Sequence, residues 1–197
     1  MEEELSTTKT VSAQPKPEEF EVEKAKEVIF QPNPGPQTEF LSAGEQEVLY
    51  GGAAGGGKSF AMLADPVRYL NNPSFRGLLV RRSTEELREL ISVSKQIYPE
   101  AIPGIKFMER DKTWVAPSGA TLWLSYLDRD DDVTRYQGQA FSWIGFDELT
   151  QWPSPYPWNY MRSRLRTTRD SNLKLYQRAT TNPGGPGHSW VKKLFID

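Results

Sequence analysis

One glycine-rich turn constrains this chain more than any other stretch: Gly52-Ala53-Ala54-Gly55-Gly56-Gly57-Lys58-Ser59. It follows the short apolar run Glu47-Val48-Leu49-Tyr50 and precedes residues at helical spacing, Phe60, Leu63, Val67 and Leu70. A strand, a GxxxxGKS turn and a helix together make a phosphate-binding loop. The glycines let successive backbone N–H groups turn inward around a phosphate, and the following helix aims its positive end at the same point. Lys58 is predicted to reach the β- and γ-phosphates of ATP, and Ser59 to ligate Mg²⁺ through its hydroxyl. The nucleotide-binding set read from the turn is Gly52, Ala53, Ala54, Gly55, Gly56, Gly57, Lys58, Ser59 and Phe60. A surface loop with a solvated lysine would need neither the hydroxyl nor the flanking pattern.

The 197 residues suffice for one sizeable core with an arm. Cysteine is absent, which removes disulfide frameworks and thiolate metal sites. No apolar run reaches the length of a membrane span, and the acidic start Met1-Glu2-Glu3-Glu4 is wrong for a signal peptide, so a soluble intracellular protein without membrane partners is expected. A formal charge of −2 leaves no overall basic footprint, so contact with nucleic acid must be local. Residues 1–30 hold eight Glu against four Lys and few aromatics, the composition of a disordered arm, with Glu18 to Val28 able to form a helix on a partner. Gln31-Pro32-Asn33-Pro34-Gly35-Pro36 then marks the start of a domain over 31–197.

Within that domain Gln37 to Leu41 reads as a short helix, and Gly77 to Arg82 as a buried parallel strand. Ser83 with Glu86 forms a capping-box pattern ahead of a helix carrying Leu87, Leu90, Ile91 and Ile97 on one face. Residues 105–126 read as short antiparallel strands, Phe141 to Phe146 as another buried strand, and Ser154 to Leu165 as a helix. Leu173 to Ala179 is a further strand, and Ser189 is placed to cap a last helix. Strands alternating with helices, plus a hairpin insertion, predict an α/β domain with a mainly parallel sheet.

A phosphate-binding loop specifies nucleotide, not hydrolysis. The discriminating feature is Ile144-Gly145-Phe146-Asp147-Glu148, an apolar strand ending on two carboxylates. In a parallel sheet the carboxyl ends of the strands face the ligand crevice. Asp147 is thereby predicted as the Mg²⁺ carboxylate beside Ser59, and Glu148 as the base for an attacking water, which favours ATP hydrolysis over phosphoryl transfer to another substrate. Asn182, just past the strand 173–180, is placed to sense the γ-phosphate, although Thr-Asn-Pro-Gly is also ordinary turn chemistry. The acidic run Asp128, Asp130, Asp131 and Asp132 reads as a solvated turn rather than a metal site.

In combination these pieces resemble the ATPase half of the large terminase subunit, the DNA-packaging motor of tailed bacteriophages. The resemblance runs in order over about residues 31–197. It covers Gly35 to Leu41, Gly51 to Ser59, Tyr136-Gln137-Gly138-Gln139, Gly145 to Thr150, Ser163 to Arg166, and Thr181 to Gly185 with Gly187-His188. It implies a P-loop NTPase of the additional-strand, catalytic-glutamate division, RecA-like, working as a ring, a pentamer by family, at the procapsid portal in the host cytoplasm. Gln37 looks like the adenine-contacting glutamine, Asp147 and Glu148 like the Walker-B aspartate and catalytic glutamate, and Thr180 to Asn182 like the coupling motif. Implied partners are double-stranded DNA, the portal protein, the small terminase subunit and a separate chain carrying the nuclease domain, which is expected to lie outside this sequence. An arginine finger is implied, in trans or in cis. Arg135 is the first candidate, with Arg81, Arg82, Arg162, Arg164 and Arg166 competing, and Arg162 and Arg166 expected on one helix face. His188 reads as a loop or cap residue. Two other readings share the loop: a helicase- or recombinase-type ATPase, and an ATP-dependent assembly module with little turnover.

Overall fold

The computed structural model describes residues 30–53, 55–167 and 171–197. The predicted arm, with its helix at 18–28, lies outside the described residues apart from Phe30, and so does Ala54 of the loop. Each apolar run becomes a strand of one seven-stranded sheet: β1 (Glu47–Gly51), β2 (Arg76–Arg81), β3 (Lys106–Met108), β4 (Thr113–Val115), β5 (Thr121–Tyr126), β6 (Trp143–Phe146) and β7 (Tyr176–Thr181). Their spatial order is β1-β7-β6-β2-β5-β4-β3. The first five in that order are mutually parallel, and β4 and β3 extend the edge antiparallel. The predicted hairpin is therefore a continuation of the main sheet. β7 stands between the loop-bearing β1 and β6, the additional strand that the family resemblance implies.

Side-chain alternation along these strands divides the core in two. Leu79 of β2 and Trp143 of β6 pack with Phe40, Met62, Leu63, Leu87, Leu90 and Tyr98, beneath α1 (Pro36–Ser42), α2 (Lys58–Ala64) and α3 (Thr84–Ala101). Leu78, Val80, Ile144 and Phe146 face the other way, onto Trp152, Trp158, Met161 and Val191 under α4 (Tyr156–Arg162) and α5 (His188–Phe195). Both faces of β2 and β6 are covered, which is why they read as unbroken apolar runs. Gly145 is required on the α2 side of β6. A Cβ there would lie 2.8 Å from Leu79 Cδ1 and 2.9 Å from Met62 Sδ, so its absence lets α2 settle close on the sheet.

α3 starts as its capping pattern predicts, the Ser83 hydroxyl accepting from the Glu86 N–H at 3.3 Å. Two helices depart from the sequence reading at their boundaries, and α4 also starts later, at Tyr156. α4 ends at Arg162, because the chain beyond it pairs with Phe141: Phe141 N–H donates to Arg164 O and Arg166 N–H to Phe141 O, both at 2.9 Å. Leu165 and Arg166 therefore lie past the helix, and Arg162 and Arg166 share no helix face. α5 begins one residue ahead of Ser189, after the turn Gly184 to Gly187, where Gly187 N–H donates to Thr150 O at 2.8 Å and Ser189 caps nothing.

Candidate active site

All five parallel strands end at one edge of the sheet, and the chemistry-bearing residues gather there. Gly51 at the end of β1 is in register with Thr181 of β7, and Val80 of β2 with Phe146 of β6, so four strand ends bring the loop, Asn182, Asp147 and Arg81 together. A cleft of about 330 Å³ between them is lined by Gly55 to Phe60, Arg81, Glu89, Glu148 and Asn182.

The loop is held in shape by its own side chains. Gly57 adopts a left-handed φ of 69° as α2 begins, a conformation open to glycine without cost. Lys58 is only 5% exposed, and its ammonium donates to Gly52 O at 3.1 Å and Ala53 O at 2.7 Å. Tyr50 Oη donates to Gly56 O at 2.7 Å. Gln37, also buried, donates through Nε2 to Gly57 O at 3.1 Å and accepts from the Asn33 N–H at 2.7 Å through Oε1. One function of its amide thus braces the loop and the other holds the segment at Asn33, and Gln37 does not line the cleft. Phe60 packs against Phe30, ring centroids 4.9 Å apart.

Opposite the loop, Asp147 is fully buried and accepts from the hydroxyls of Thr180 and, at 3.4 Å, Ser59. Hard oxygens from one carboxylate and one hydroxyl, beside a phosphate-shaped loop, fit Mg²⁺, which takes few protein ligands and completes its shell with phosphate and water. Glu148 sits at φ 62°, ψ 55°, a left-handed conformation uncommon for a residue with a Cβ. Its carboxylate is clamped by Asn182, which donates from its backbone N–H at 3.1 Å and from Nδ2 at 2.8 Å. Asn182 Oδ1 is buried without a hydrogen-bond partner. The Glu148 side chain caps no helix N–H.

A family model described as "Terminase large subunit, T4likevirus-type, N-terminal" matches residues 49–197. The chain belongs to that family. Comparison with curated protein sequences gives no match. Among solved structures, the large terminase of a thermophilic bacteriophage is similar at 19% identity and a TM-score of 0.63, over 85% of this chain and 43% of that one. The same terminase in complex with ADP aligns at 16% identity and a TM-score of 0.51, over 75% and 38%. The bacteriophage Phi-29 viral genome packaging motor assembly aligns at 18% identity and a TM-score of 0.55, over 83% and 51%. At these identities the likeness is one of fold, the P-loop α/β fold expected from the sequence. The chain spans less than half the length of the thermophilic phage terminase.

The arginines of this terminase chain separate clearly. Arg81 points into the cleft and contacts Asp147, a placement that the sequence reading considered only among the finger candidates. Arg135 lies elsewhere: it donates to Tyr126 O at 2.6 Å and Asp132 O at 3.2 Å, on the face of the antiparallel edge. Arg82 pairs with Asp130 at 3.3 Å, Arg162 with Glu47 at 3.1 Å, Arg164 lies over the Tyr160 ring, and Arg166 donates to Gln139 O. The acidic run enters a 3-10 turn at Asp130–Tyr136, where Asp132 accepts from the Arg129 N–H and Asp130 from Ser154. Among the described residues no group of three or more His, Cys, Asp or Glu is placed to hold a metal, and no helix is long and apolar enough to cross a membrane. His188 Nδ1 accepts from the Gly184 N–H at 3.3 Å, a turn contact rather than a catalytic one. Sequence reasoning missed Tyr50 and Glu89 as neighbours of the loop, since neither carries a local pattern.

Proposed function

We propose that this chain is the ATP-hydrolysing, Mg²⁺-dependent module of a DNA-packaging motor, acting on double-stranded DNA in a ring at a procapsid portal. The observation that carries the reading is the convergence of Lys58, Ser59, Asp147, Glu148 and Asn182 at one cleft, with Glu148 held by two hydrogen bonds from the coupling segment. Domain 31–197 is the motor module, and the residues before it an arm. Lys58 leaves the two loop carbonyls to meet the β- and γ-phosphates, and the loop N–H groups close around them. Ser59 and Asp147 hold Mg²⁺, which when bound offsets the phosphate charge. Glu148 takes the proton of the attacking water as its oxygen bonds the γ-phosphorus and the bond to the ADP oxygen breaks. Asn182 keeps Glu148 aligned. Loss of the γ-phosphate frees Asn182, and the segment after β7 moves with it. Gln37 contacts the adenine, its amide turning to the base from Gly57 O and Asn33 N–H.

The test is nucleotide binding and phosphate release by the purified chain, alone, with duplex DNA, and with the portal protein, small subunit and nuclease-bearing polypeptide. Turnover that rises with DNA and these partners supports the motor reading. Strand separation would assign a helicase, and ATP-dependent association without phosphate release an assembly module. Lys58→Ala is expected to weaken ATP binding by about 10- to 100-fold, the loss of a charge-assisted phosphate contact of about 1.5–3 kcal/mol; unchanged affinity would remove Lys58 from the site. Because Arg135 lies outside its own cleft, its proposed role is in trans. Arg135→Ala is expected to lower turnover in assembled rings about 10³-fold while leaving turnover at monomer dilution unchanged. Equal loss in both states, read by phosphate release across a dilution series, would rule out action in trans.

A further inference from the structure

Arg81 closes β2 and is 7% exposed. Its Nε donates to Asp147 Oδ2 at 2.6 Å, its Nη2 lies 2.5 Å from the same carboxylate, and Nη2 also donates to Ser59 Oγ at 3.2 Å. The guanidinium therefore bridges the two groups assigned to Mg²⁺. A fully buried carboxylate needs a counter-charge, and the other groups reaching Asp147, Ser59 and Thr180, are neutral hydroxyls. The neighbouring ammonium of Lys58 is engaged by the loop carbonyls. Arg81 alone neutralises Asp147 among the described residues that touch it. A guanidinium and a divalent cation at one buried carboxylate compete, because their like charges repel in a low-dielectric site.

We propose that Arg81 is a displaceable counter-ion. It holds Asp147 while the cleft is without nucleotide, yields the carboxylate to the divalent cation, and moves its guanidinium onto the phosphate oxygens. Arg81 already lines the cleft with Lys58, Glu148 and Asn182, so its guanidinium is placed beside the phosphate-binding loop. Its planar fork suits a phosphate, whereas Glu148 is already taken by Asn182. Arg81 acts on the metal position through Asp147, and so is a positioning residue there. The inference rests on the cleft being a Mg²⁺–nucleotide site.

The test is binding of a fluorescent ATP analogue, titrated with Mg²⁺, for the unaltered chain, Arg81→Gln and Arg81→Lys. Removing the competing cation is expected to lower the Mg²⁺ midpoint about tenfold in Arg81→Gln, the equivalent of one charge-assisted contact. At saturating Mg²⁺ the analogue is expected to bind about tenfold more weakly, through loss of the phosphate contact. Arg81→Lys, which keeps the charge without the fork, should fall between. A midpoint unchanged or raised in Arg81→Gln overturns the counter-ion role, and unchanged affinity at saturating Mg²⁺ overturns the phosphate contact. If the unaltered chain binds no nucleotide, the reading of the cleft fails and this inference with it; binding with an unchanged midpoint overturns this inference alone. Should the variants not fold, the Arg81 Nε–H resonance of the unaltered chain gives the answer. It is expected to move when Mg²⁺ and nucleotide are added together and to stay put with nucleotide and EDTA. A resonance that stays put in both overturns the proposal.

Discussion

Glu148→Gln is expected to retain nucleotide and to lower turnover by about 10²–10⁴-fold, the usual contribution of a positioned general base. The substitution changes little but basicity. Glutamine has the same reach, and its backbone cost at φ 62° is the one Glu148 already bears. It keeps one oxygen for Asn182 and meets the second donor with an amide, so one of the two bonds of 2.8 and 3.1 Å is lost. What it cannot do is accept a proton from water. Single-turnover phosphate release beside equilibrium binding of the same nucleotide separates the two effects, since only the chemical step should respond. The contrast with Lys58→Ala is the informative part: that variant should lose binding first. Equal loss of binding in both would mean that Glu148 holds the nucleotide, and the proton acceptor would have to be sought elsewhere.

Why Glu148 was legible in the sequence while Arg81 was not is a matter of range. Strand β6 ends on Asp147-Glu148 within five residues of sequence, and the loop Gly52 to Ser59 carries its own strand and helix, so both halves of the cleft announce themselves locally. The covered strands β2, β6 and β7 and the start of α3 were readable for the same reason. The contact from Arg81 to Asp147 spans 66 residues, and it forms only because β2 and β6 are neighbours in register. Nothing around Gly77 to Arg82 specifies that neighbour. The same limit explains α4: residues 163–166 have helical spacing, but pairing with Phe141 overrides it. Gln37 shows a subtler limit, since its residue type suits an adenine edge while its amide braces Gly57 and Asn33. Asp65 leaves a faint signal, a carboxylate four residues past Ala61 on the apolar side of α2 and just ahead of Pro66.

That carboxylate supports the second large expectation: Asp65→Ala should destabilise the fold by about 3–5 kcal/mol, the cost of removing one partner from a buried charged cluster. Asp65 is fully buried between α2 and the sheet. Its Oδ2 accepts from Trp143 Nε1 at 2.8 Å and Tyr176 Oη at 2.9 Å, and its Oδ1 from Arg68 Nη2 at 2.7 Å. Arg178, 2% exposed, lies 4.0 Å away and stacks over the Tyr176 ring, its Nη atoms reaching the carbonyls of Ala43 and Glu45 ahead of β1. Burial pulls the Arg178 guanidinium below its ordinary pKa, and Asp65 pulls it back up. Burial and the same carboxylate push the Tyr98 and Tyr176 phenols well above theirs, so both remain neutral donors. Alanine would orphan the indole N–H and the Tyr176 hydroxyl and leave Arg178 buried without its counter-charge, whereas the half-exposed Arg68 could turn to water. Asp65→Asn should cost about 1–3 kcal/mol, because its oxygen can keep Trp143 and Tyr176 while its amide faces Arg68 donor to donor. Urea unfolding of the two variants decides the point by the separation of their midpoints at unchanged slope. Equal midpoints would mean that the charge next to Arg178 carries the whole effect and the hydrogen bonds to Trp143 and Tyr176 none of it. Because Asp65 ties the end of α2 to β6 and β7, its loss should also loosen the loop that leads into α2, and nucleotide affinity should fall before the fold is lost.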